Sequence, residues 1–266
     1  MNRLDNRIQE VLRRGEKFLC CVLPLGDPDF KTSRHILEIF LKSGVDIVEF
    51  MLPSQDPYFD SQPIADSNRR ALATETNYEM YFKAIAEIRD DYPDEPFEVM
   101  TYSDVIRNVG ISQFVDSLRE AEIEAHLLAD STAIAPDIIQ DMDPLLEEAG
   151  IYRIRFMPHP FQESLLDDIG QHARGFMILQ SIADKSGNRM NVAEGNRELI
   201  TKIRATGTQA AVMLGYGINN PTRAKEAVAV DPDGMIVGTA VIERIAVGDY
   251  SGLAELIRGI KDAMIP

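Results

Sequence analysis

The sequence predicts a closed barrel of eight parallel strands, the (β/α)8 or TIM barrel, with one extra helix before the first strand. Short apolar runs rich in β-branched residues alternate about eight times with amphipathic segments, which is the repeat of a parallel α/β sheet. No linker rich in Pro, Gly or Ser interrupts the alternation, so we expect one domain over residues 1–266. An open doubly wound sheet is the alternative, but no glycine-rich dinucleotide turn follows the first strand.

Each predicted strand is a short apolar run, and each is followed by a segment with helical periodicity. The predicted strands are 18–23, 46–51, 97–102, 125–129, 152–157, 175–179, 210–214 and 234–237. The predicted helices are 34–43, 78–90, 112–122, 135–149, 163–172, 197–206, 221–230 and 253–264. The extra helix, 4–14, is expected to cover the apolar N-terminal end of the barrel.

The composition excludes several classes of partner. Asp and Glu outnumber Lys and Arg by 43 to 27, giving a net charge of −16, and no basic cluster offers a surface for nucleic acid. The apolar runs are shorter than the roughly 20 residues of a membrane span, and the N-terminus lacks a signal-peptide core, so we expect a cytoplasmic protein. Cys20 and Cys21 fit small buried side chains, and the four His residues lack metal-ligand spacing. Neither a metal nor another cofactor is expected.

A single carboxylate lies within the second predicted strand. Glu49 is the one charge deep in the run 45–52, and Asp60 follows in the next loop. Burial raises the pKa of a carboxyl group toward the range used in proton transfer, and barrel enzymes carry their catalytic groups at this end of the strands. Glu49 and Asp60 are therefore predicted to be an acid and a base, with no other acidic residue expected in such a position. The alternative is a structural ion pair between Glu49 and a core Lys or Arg.

Two glycine-containing turns follow the seventh and eighth predicted strands. One is 215–218, which includes Gly217, and the other is 238–240, which includes Gly238 and Thr239. Glycine allows backbone N–H groups to approach an anion closely, and the loops after the last two barrel strands often hold phosphate. A single such turn is usually only a tight turn. Two on successive strands predict a phosphate site.

These motifs resemble the α chain of tryptophan synthase over nearly the whole chain, in the same order. The matching residues are Leu25-Gly26-Asp27-Pro28, Glu49, Pro53, Asp56-Pro57, Asp60, Gly217 and Gly238-Thr239. The resemblance implies a lyase that cleaves indole-3-glycerol phosphate, by a retro-aldol reaction, to indole and glyceraldehyde 3-phosphate. It also implies that indole passes to a pyridoxal-phosphate β chain, which would dock on the loop with Pro53 and Asp56.

The resemblance also implies roles for individual residues. Glu49 would deliver a proton to the indole ring carbon where the bond breaks, and Asp60 would stabilise the charge on the indole nitrogen. The residues that would line the substrate pocket are Tyr102, Leu127, Ile178 and Ser186. The residues that would bind the phosphate are Gly187, Gly217, Gly238 and Thr239.

The chain departs from the family pattern near the expected site. Met51 stands where the family has a glycine, Ile178 stands where a pocket tyrosine is usual, and the loop 180–185 lacks the family's Arg-Ser-Gly-Val pattern. Loops of this kind close over substrate and control the chemistry. Two alternatives therefore stand beside the lyase: a barrel that acts on another phosphorylated substrate, and a low-activity binding or regulatory partner of a β-type chain.

Overall fold

The computed structural model describes residues 2–131, 136–182, 189–215 and 217–265, and for residues 189–192 it describes the backbone only. Nine parallel strand segments of these residues lie in one sheet. They are β1 (Phe18–Pro24), β2 (Ile47–Met51), β3 (Phe97–Thr101), β4 (Ala125–Leu128), β5 (Tyr152–Arg153), β6 (Arg155–Met157), β7 (Phe176–Gln180), β8 (Ala211–Gly215) and β9 (Gly234–Val237). Their order across the sheet is β5-β4-β3-β2-β1-β9-β8-β7-β6.

The barrel closes within the predicted strand 152–157. This run pairs with β4 through β5 and with β7 through β6. Ile154 joins the two halves, and its N–H donates to the carbonyl of His126 at 2.9 Å, which continues the ladder to β4. β5 and β6 are thus two parts of one barrel strand, and the expected eight-stranded (β/α)8 barrel is confirmed.

Alternation along each strand divides the apolar residues between two layers. On β2, Val48 and Phe50 point outward into the layer between the sheet and its helices. Ile47 and Met51 point inward and pack in the barrel interior. Glu49 has the same parity as these two residues, so its side chain lies on the inner face. The register of a single strand therefore aims the carboxyl group into the barrel.

Twelve helices are described around the sheet. They are α1 (Arg3–Arg13), α2 (Phe30–Lys42), α3 (Gln62–Thr74), α4 (Tyr78–Asp91), α5 (Ser103–Val109), α6 (Ile111–Glu120), α7 (Pro136–Ala149), α8 (Ser164–His172), α9 (Arg189–Ala205), α10 (Pro221–Val228), α11 (Thr239–Ala246) and α12 (Tyr250–Ala263). None of the described helices has the length and apolar character that crossing a membrane requires.

The helix α1 has the position that the sequence predicts. Its buried residues Leu4, Ile8 and Val11 belong to the same apolar cluster as Phe18 of β1 and Phe176 of β7. The two phenylalanine rings lie 6.2 Å apart, centroid to centroid, at the N-terminal end of the strands. The extra helix therefore covers the floor of the barrel, at the end opposite to the predicted site.

The helices α3 and α5 were not predicted. α3 has few apolar residues, and Ser61 at its N-cap makes no side-chain capping bond. Tertiary contacts stabilise it instead: Asn68 accepts a hydrogen bond from the backbone N–H of Ser54 at 2.6 Å, and Arg70 forms an ion pair with the buried Asp27 at 2.6 Å. The first contact joins α3 to the loop between β2 and α3, which carries Asp60, and the second joins α3 to the loop after β1.

Candidate active site

A cavity of about 570 Å³ opens at the C-terminal end of the barrel strands. All the predicted site residues that the structure describes line it. They are Glu49, Asp60, Tyr102, Leu127, Ile178, Gly217, Gly238 and Thr239. Ser186 and Gly187, which the sequence also predicts at the site, lie outside the described residues. Residues from strands and loops spread along the whole chain therefore converge on one cavity, as the barrel topology requires.

Glu49 is almost completely buried at one wall of this cavity, with 2% of its surface exposed. Burial, aided by the negative charge of Asp60 and opposed by a hydrogen bond with Glu98, raises the pKa of its carboxyl group from 4.5 to about 7. Across the described residues, no Lys or Arg forms an ion pair with Glu49, so the structural ion-pair alternative is not supported. Near neutral pH this carboxyl group can both give and accept a proton.

A second buried acid lies beside Glu49, contrary to the expectation from the sequence. Glu98 of β3 stands directly opposite Glu49 in the parallel register and is fully buried. Its pKa is raised well above the usual value, first by burial and then by the charge of Glu49. The sequence carries the same signal for both residues, because Glu98 is also a lone charge between apolar neighbours, Phe97 and Val99.

Asp60 is half-buried in the loop after β2 and is held by a tyrosine from the next strand. The hydroxyl of Tyr102 donates to Asp60 Oδ2 at 2.7 Å. Burial raises the pKa of Asp60 to about 6, and the hydrogen bond from Tyr102 opposes this shift. Above pH 7 Asp60 is therefore mainly a carboxylate, whereas Glu49 is still partly protonated. The two carboxyl groups on this cavity are thus suited to different tasks.

The predicted phosphate turns lie along the same cavity. Gly217 has a φ of +80°, a conformation that favours glycine, and Thr239 begins the helix α11 directly after Gly238. The hydroxyl groups of Ser61 and Thr239 lie 3.1 Å apart, so the loop that carries Asp60 contacts the second turn. Glu243, one turn into α11, also lines the cavity and was not predicted. Its exposed carboxylate adds negative charge on this side.

The cavity also has apolar walls. The apolar side chains that line it include Met51, Met100, Leu127, Phe156 and Ile178. Met51 and Ile178 are both buried, so the bulkier side chain at one position and the missing tyrosine at the other change the shape of the cavity itself. A flat hydrophobic group fits such walls.

Phe59 and His159 also line the cavity. The sequence pattern singles out neither residue for chemistry. Phe59 is half-exposed and stacks on Tyr58, with ring centroids 4.4 Å apart. The backbone N–H of His159 donates to Gln180 Oε1 at 2.9 Å, which connects the loop after β6 to the end of β7. Both residues come from loops, so their approach to the cavity depends on tertiary packing.

One group of potential metal ligands occurs in the described part of the chain. Atoms of Cys20, Glu49 and Glu98, all buried, lie within 4.8 Å of one another on neighbouring strands. A metal requires the deprotonated forms of these groups. Burial instead raises the pKa of the Cys20 thiol and of both carboxyl groups, which favours their neutral forms. We therefore interpret the group as buried acids that hold protons in the barrel interior and not as a metal site.

Fold and site together define a (β/α)8 barrel with paired acids in a cavity at the C-terminal end of its strands. The family model described as tryptophan synthase alpha chain matches residues 8–258, so the chain belongs to that family. The family suggested by the sequence motifs is thus confirmed, and membership indicates a lyase-type enzyme.

Curated relatives and solved structures agree with this assignment. The tryptophan synthase alpha chain of Caldanaerobacter subterraneus subsp. tengcongensis is 27% identical, over 100% of this chain and 98% of the relative. The alpha chain of Methanoregula boonei is 30% identical, over 89% of this chain and 88% of the relative. The crystal structure of tryptophan synthase subunit alpha from Legionella pneumophila has a TM-score of 0.87 at 24% identity, covering 99% of this chain and 98% of that one, and it supports the fold.

Proposed function

We propose that this chain cleaves indole-3-glycerol phosphate to indole and glyceraldehyde 3-phosphate. The observation that carries the proposal is the convergence of Glu49, Asp60 and the two glycine turns on one cavity. The two acids, the apolar walls and the two turns all line this one space. A substrate that combines an aromatic ring with a phosphate group matches these three kinds of lining.

Glu49 supplies the acid of the reaction. In its protonated form it transfers a proton to the ring carbon that bears the side chain, and the ring becomes an electron sink. The carbon-carbon bond then breaks, its electron pair returns to the ring, and the substrate hydroxyl loses its proton as the aldehyde forms. The carboxylate left on Glu49 can accept that proton, so the residue ends the cycle protonated. A pKa of about 7 suits both steps.

Asp60 supplies a negative charge opposite the ring nitrogen. Protonation of the ring carbon places positive charge on that nitrogen, and a carboxylate stabilises it most strongly in a site that excludes water. The hydroxyl of Tyr102, 2.7 Å from Asp60 Oδ2, fixes the orientation of this carboxylate. Leu127 and Ile178 form apolar walls on which the ring can pack.

The phosphate end would be held mainly by the backbone. Gly217 and Gly238 allow close approach of N–H groups, and Thr239 adds a hydroxyl at the start of α11. Helix α11 contributes the positive end of its dipole to the same point. We assign Gly187 and Ser186 to the same substrate only through the family motif.

We also propose that a tryptophan synthase β-type chain docks on the loop after β2. Pro53 is buried, and its carbonyl accepts a hydrogen bond from Tyr78 at 2.8 Å, so this residue fixes the base of the loop. Asp56, Tyr58 and Phe59 are exposed beyond it. Exposed aromatic rings beside a charged residue are typical of contact surfaces between proteins. We expect Asp56→Lys to weaken any complex with a β chain without changing the fold.

The test is an assay of indole release from indole-3-glycerol phosphate by the purified chain, with and without a β chain. Glu49→Gln is the test variant, and Glu255→Gln on the exposed face of α12 is the matched control. We expect the wild type and the control to release indole at similar rates and Glu49→Gln to release it roughly 10²–10⁴-fold more slowly. Absence of release from the wild type, both alone and with the β chain, would refute the proposed reaction.

One observation favours a second candidate function. Glu243 adds a carboxylate to the cavity near the turns, and Ile178 removes the tyrosine usual in the family. Both changes would alter the choice of substrate while leaving the acids in place. If indole-3-glycerol phosphate is not cleaved, a panel of other phosphorylated aldol-type substrates tests whether the same acids act on a different compound.

A further inference from the structure

Glu98 and Glu49 are neighbours because of strand register. In the parallel pair β2 and β3, Glu49 lies opposite Glu98, between the pairs Val48–Phe97 and Phe50–Val99. These flanking residues pack in the outer layer, so both glutamates point inward. Their carboxyl oxygens lie within 4.8 Å of each other. Glu49 lines the cavity, whereas Glu98 is fully buried and does not.

The hydrogen-bonding groups around this pair are few. In the parts of the chain that are described, no donor reaches Glu49 Oε2 or either oxygen of Glu98. Two carboxylates are acceptors only and cannot bond to each other. A buried polar group without a partner is costly, so the pair has a strong reason to form a hydrogen bond, and that bond requires a proton on one of them.

The described residues of the neighbouring elements supply no positive charge. Cys20 on β1 faces the pair, Ala125 of β4 lies opposite Glu98, and Asp60 acts on Glu49 from the loop above. Within the described residues, no Lys, Arg or His contributes to the electrostatics of either carboxyl group. Two ionised carboxylates at this distance, without a cation, would repel each other in a medium of low dielectric.

We propose that Glu98 keeps its proton and donates a hydrogen bond from its carboxyl group to Glu49, which makes Glu98 the positioning residue of the acid in the cavity. Glu98 is the protonated partner because it is fully buried away from the cavity, where desolvation disfavours a negative charge more strongly than it does for Glu49 at the cavity wall. A carboxylic acid kept neutral by an apolar site can serve as a hydrogen-bond donor at pH 7.

The bond has two consequences for Glu49. It fixes one carboxyl oxygen, so that the other stays directed toward the cavity. It also opposes the effect of burial, because a donor to the carboxylate lowers the pKa of Glu49. Burial alone would raise the pKa of Glu49 further and make it a weaker acid toward the ring carbon. This catalytic consequence rests on the proposed function, whereas the protonation of Glu98 does not.

Infrared spectroscopy of protein labelled with carbon-13 glutamate tests the protonation directly. The carbonyl stretch of a protonated carboxyl group is expected in the wild type at pH 8.5, above the titration of Glu49. We expect Glu98→Gln, which keeps a donor to Glu49, to lose it and Glu255→Gln to retain it. A wild-type spectrum without this band, or a band that survives in Glu98→Gln, would overturn the proposal. If Glu98→Gln fails to fold, the pH titration of the wild-type band alone decides.

Metal analysis of the same preparations tests whether a bound metal ion, and not a proton, holds Glu49 and Glu98 together. We expect the purified protein to contain no stoichiometric zinc and Zn²⁺ not to raise its melting temperature. Zinc that is present in the wild type and lost in Glu98→Gln and Cys20→Ser would overturn the proposal, since both carboxyl groups would then be ionised ligands.

The pH profile of indole release separates positioning from a merely structural role. Glutamine retains a donor, so we expect Glu98→Gln to keep kcat within about threefold of wild type. Leucine has no donor, so we expect Glu98→Leu to lower kcat by roughly 10-fold to 100-fold with little change in KM. In Glu98→Leu the pKa of Glu49 rises, so we also expect the alkaline limb of the pH profile of kcat to move to higher pH.

If kcat fell equally in Glu98→Gln and Glu98→Leu and the alkaline limb of the pH profile did not move, the idea that a hydrogen bond from Glu98 positions Glu49 would be contradicted. If the wild type releases no indole at all, the proposed function fails, and the infrared result still decides the protonation of Glu98. The two failures are therefore distinguishable.

Discussion

Replacing Glu49 with glutamine should alter the stability of the protein in a way that depends on pH. The substitution keeps the size of the side chain and removes the ability to ionise. In the wild type, ionisation of Glu49 inside the barrel is unfavourable, because burial raises its pKa from 4.5 to about 7. A glutamine at this position does not incur that cost at any pH.

The size of this stability difference follows from the pKa shift of Glu49. Because the folded pKa lies above the unfolded one, the stability contributed by neutral Glu49 is complete below about pH 4.5 and is lost as the pH rises through about 7. A shift from 4.5 to about 7 corresponds to about 3 kcal/mol. Relative to wild type, Glu49→Gln should therefore gain about 3 kcal/mol in unfolding free energy between pH 4.5 and pH 8.5.

Urea unfolding at several pH values between 4.5 and 8.5 measures this difference, with Glu255→Gln as the control that should track the wild type. In parallel, indole release by Glu49→Gln should fall by roughly 10²–10⁴-fold. A difference in unfolding free energy between wild type and Glu49→Gln that does not change with pH would refute the reasoning, since Glu49 would then have an ordinary pKa in the folded protein.

Three further predictions concern the rest of the cavity. Tyr102→Phe removes the hydrogen bond to Asp60, so the pKa of Asp60 should rise above about 6. We therefore expect kcat/KM to fall about tenfold at pH 6.5 and less at pH 8. An equal loss at both pH values would contradict the role of Tyr102 in keeping Asp60 ionised. Gly238→Asp places a carboxylate at the second turn, so glycerol 3-phosphate should raise the melting temperature of the wild type and not of the variant; equal shifts would move the phosphate elsewhere. Glu243→Gln removes an exposed negative charge from the cavity, so we expect the Kd for glycerol 3-phosphate to improve about threefold by titration calorimetry; an unchanged Kd at low salt would mean that Glu243 does not sense the anion.

The barrel could be predicted because its strands carry a local signal. Each inner or outer layer needs apolar side chains, so a strand buried on both faces is apolar throughout, and eight such runs alternate with helices. α3 and α5 have weaker local signals, and α3 depends on contacts such as that between Asn68 and the backbone of Ser54. Such contacts join residues that only the fold brings together, so the sequence could not predict them.

The site could be predicted in its residue types but not in its internal bonds. Glu49 was found as a lone charge in an apolar strand, and Glu98 carries the same mark in the strand beside it. The hydrogen bond from Tyr102 to Asp60 and the contact of Ser61 with Thr239 span 42 and 178 residues of sequence. These pairings depend on how the loops fold over the barrel mouth, for which no local pattern exists.

The different surroundings of the two buried glutamates explain how one barrel layer can hold an acid that reacts and an acid that does not. Both lie between apolar neighbours on the inner face, so burial raises the pKa of each carboxyl group. Only Glu49 touches the cavity, where a bound substrate can supply or remove a proton. Glu98 is fully buried away from the cavity, so its neutral form is favoured and it can act as a hydrogen-bond donor. The register between β2 and β3 therefore places Glu49 and Glu98 side by side, and contact with the cavity allows only Glu49 to react with a substrate.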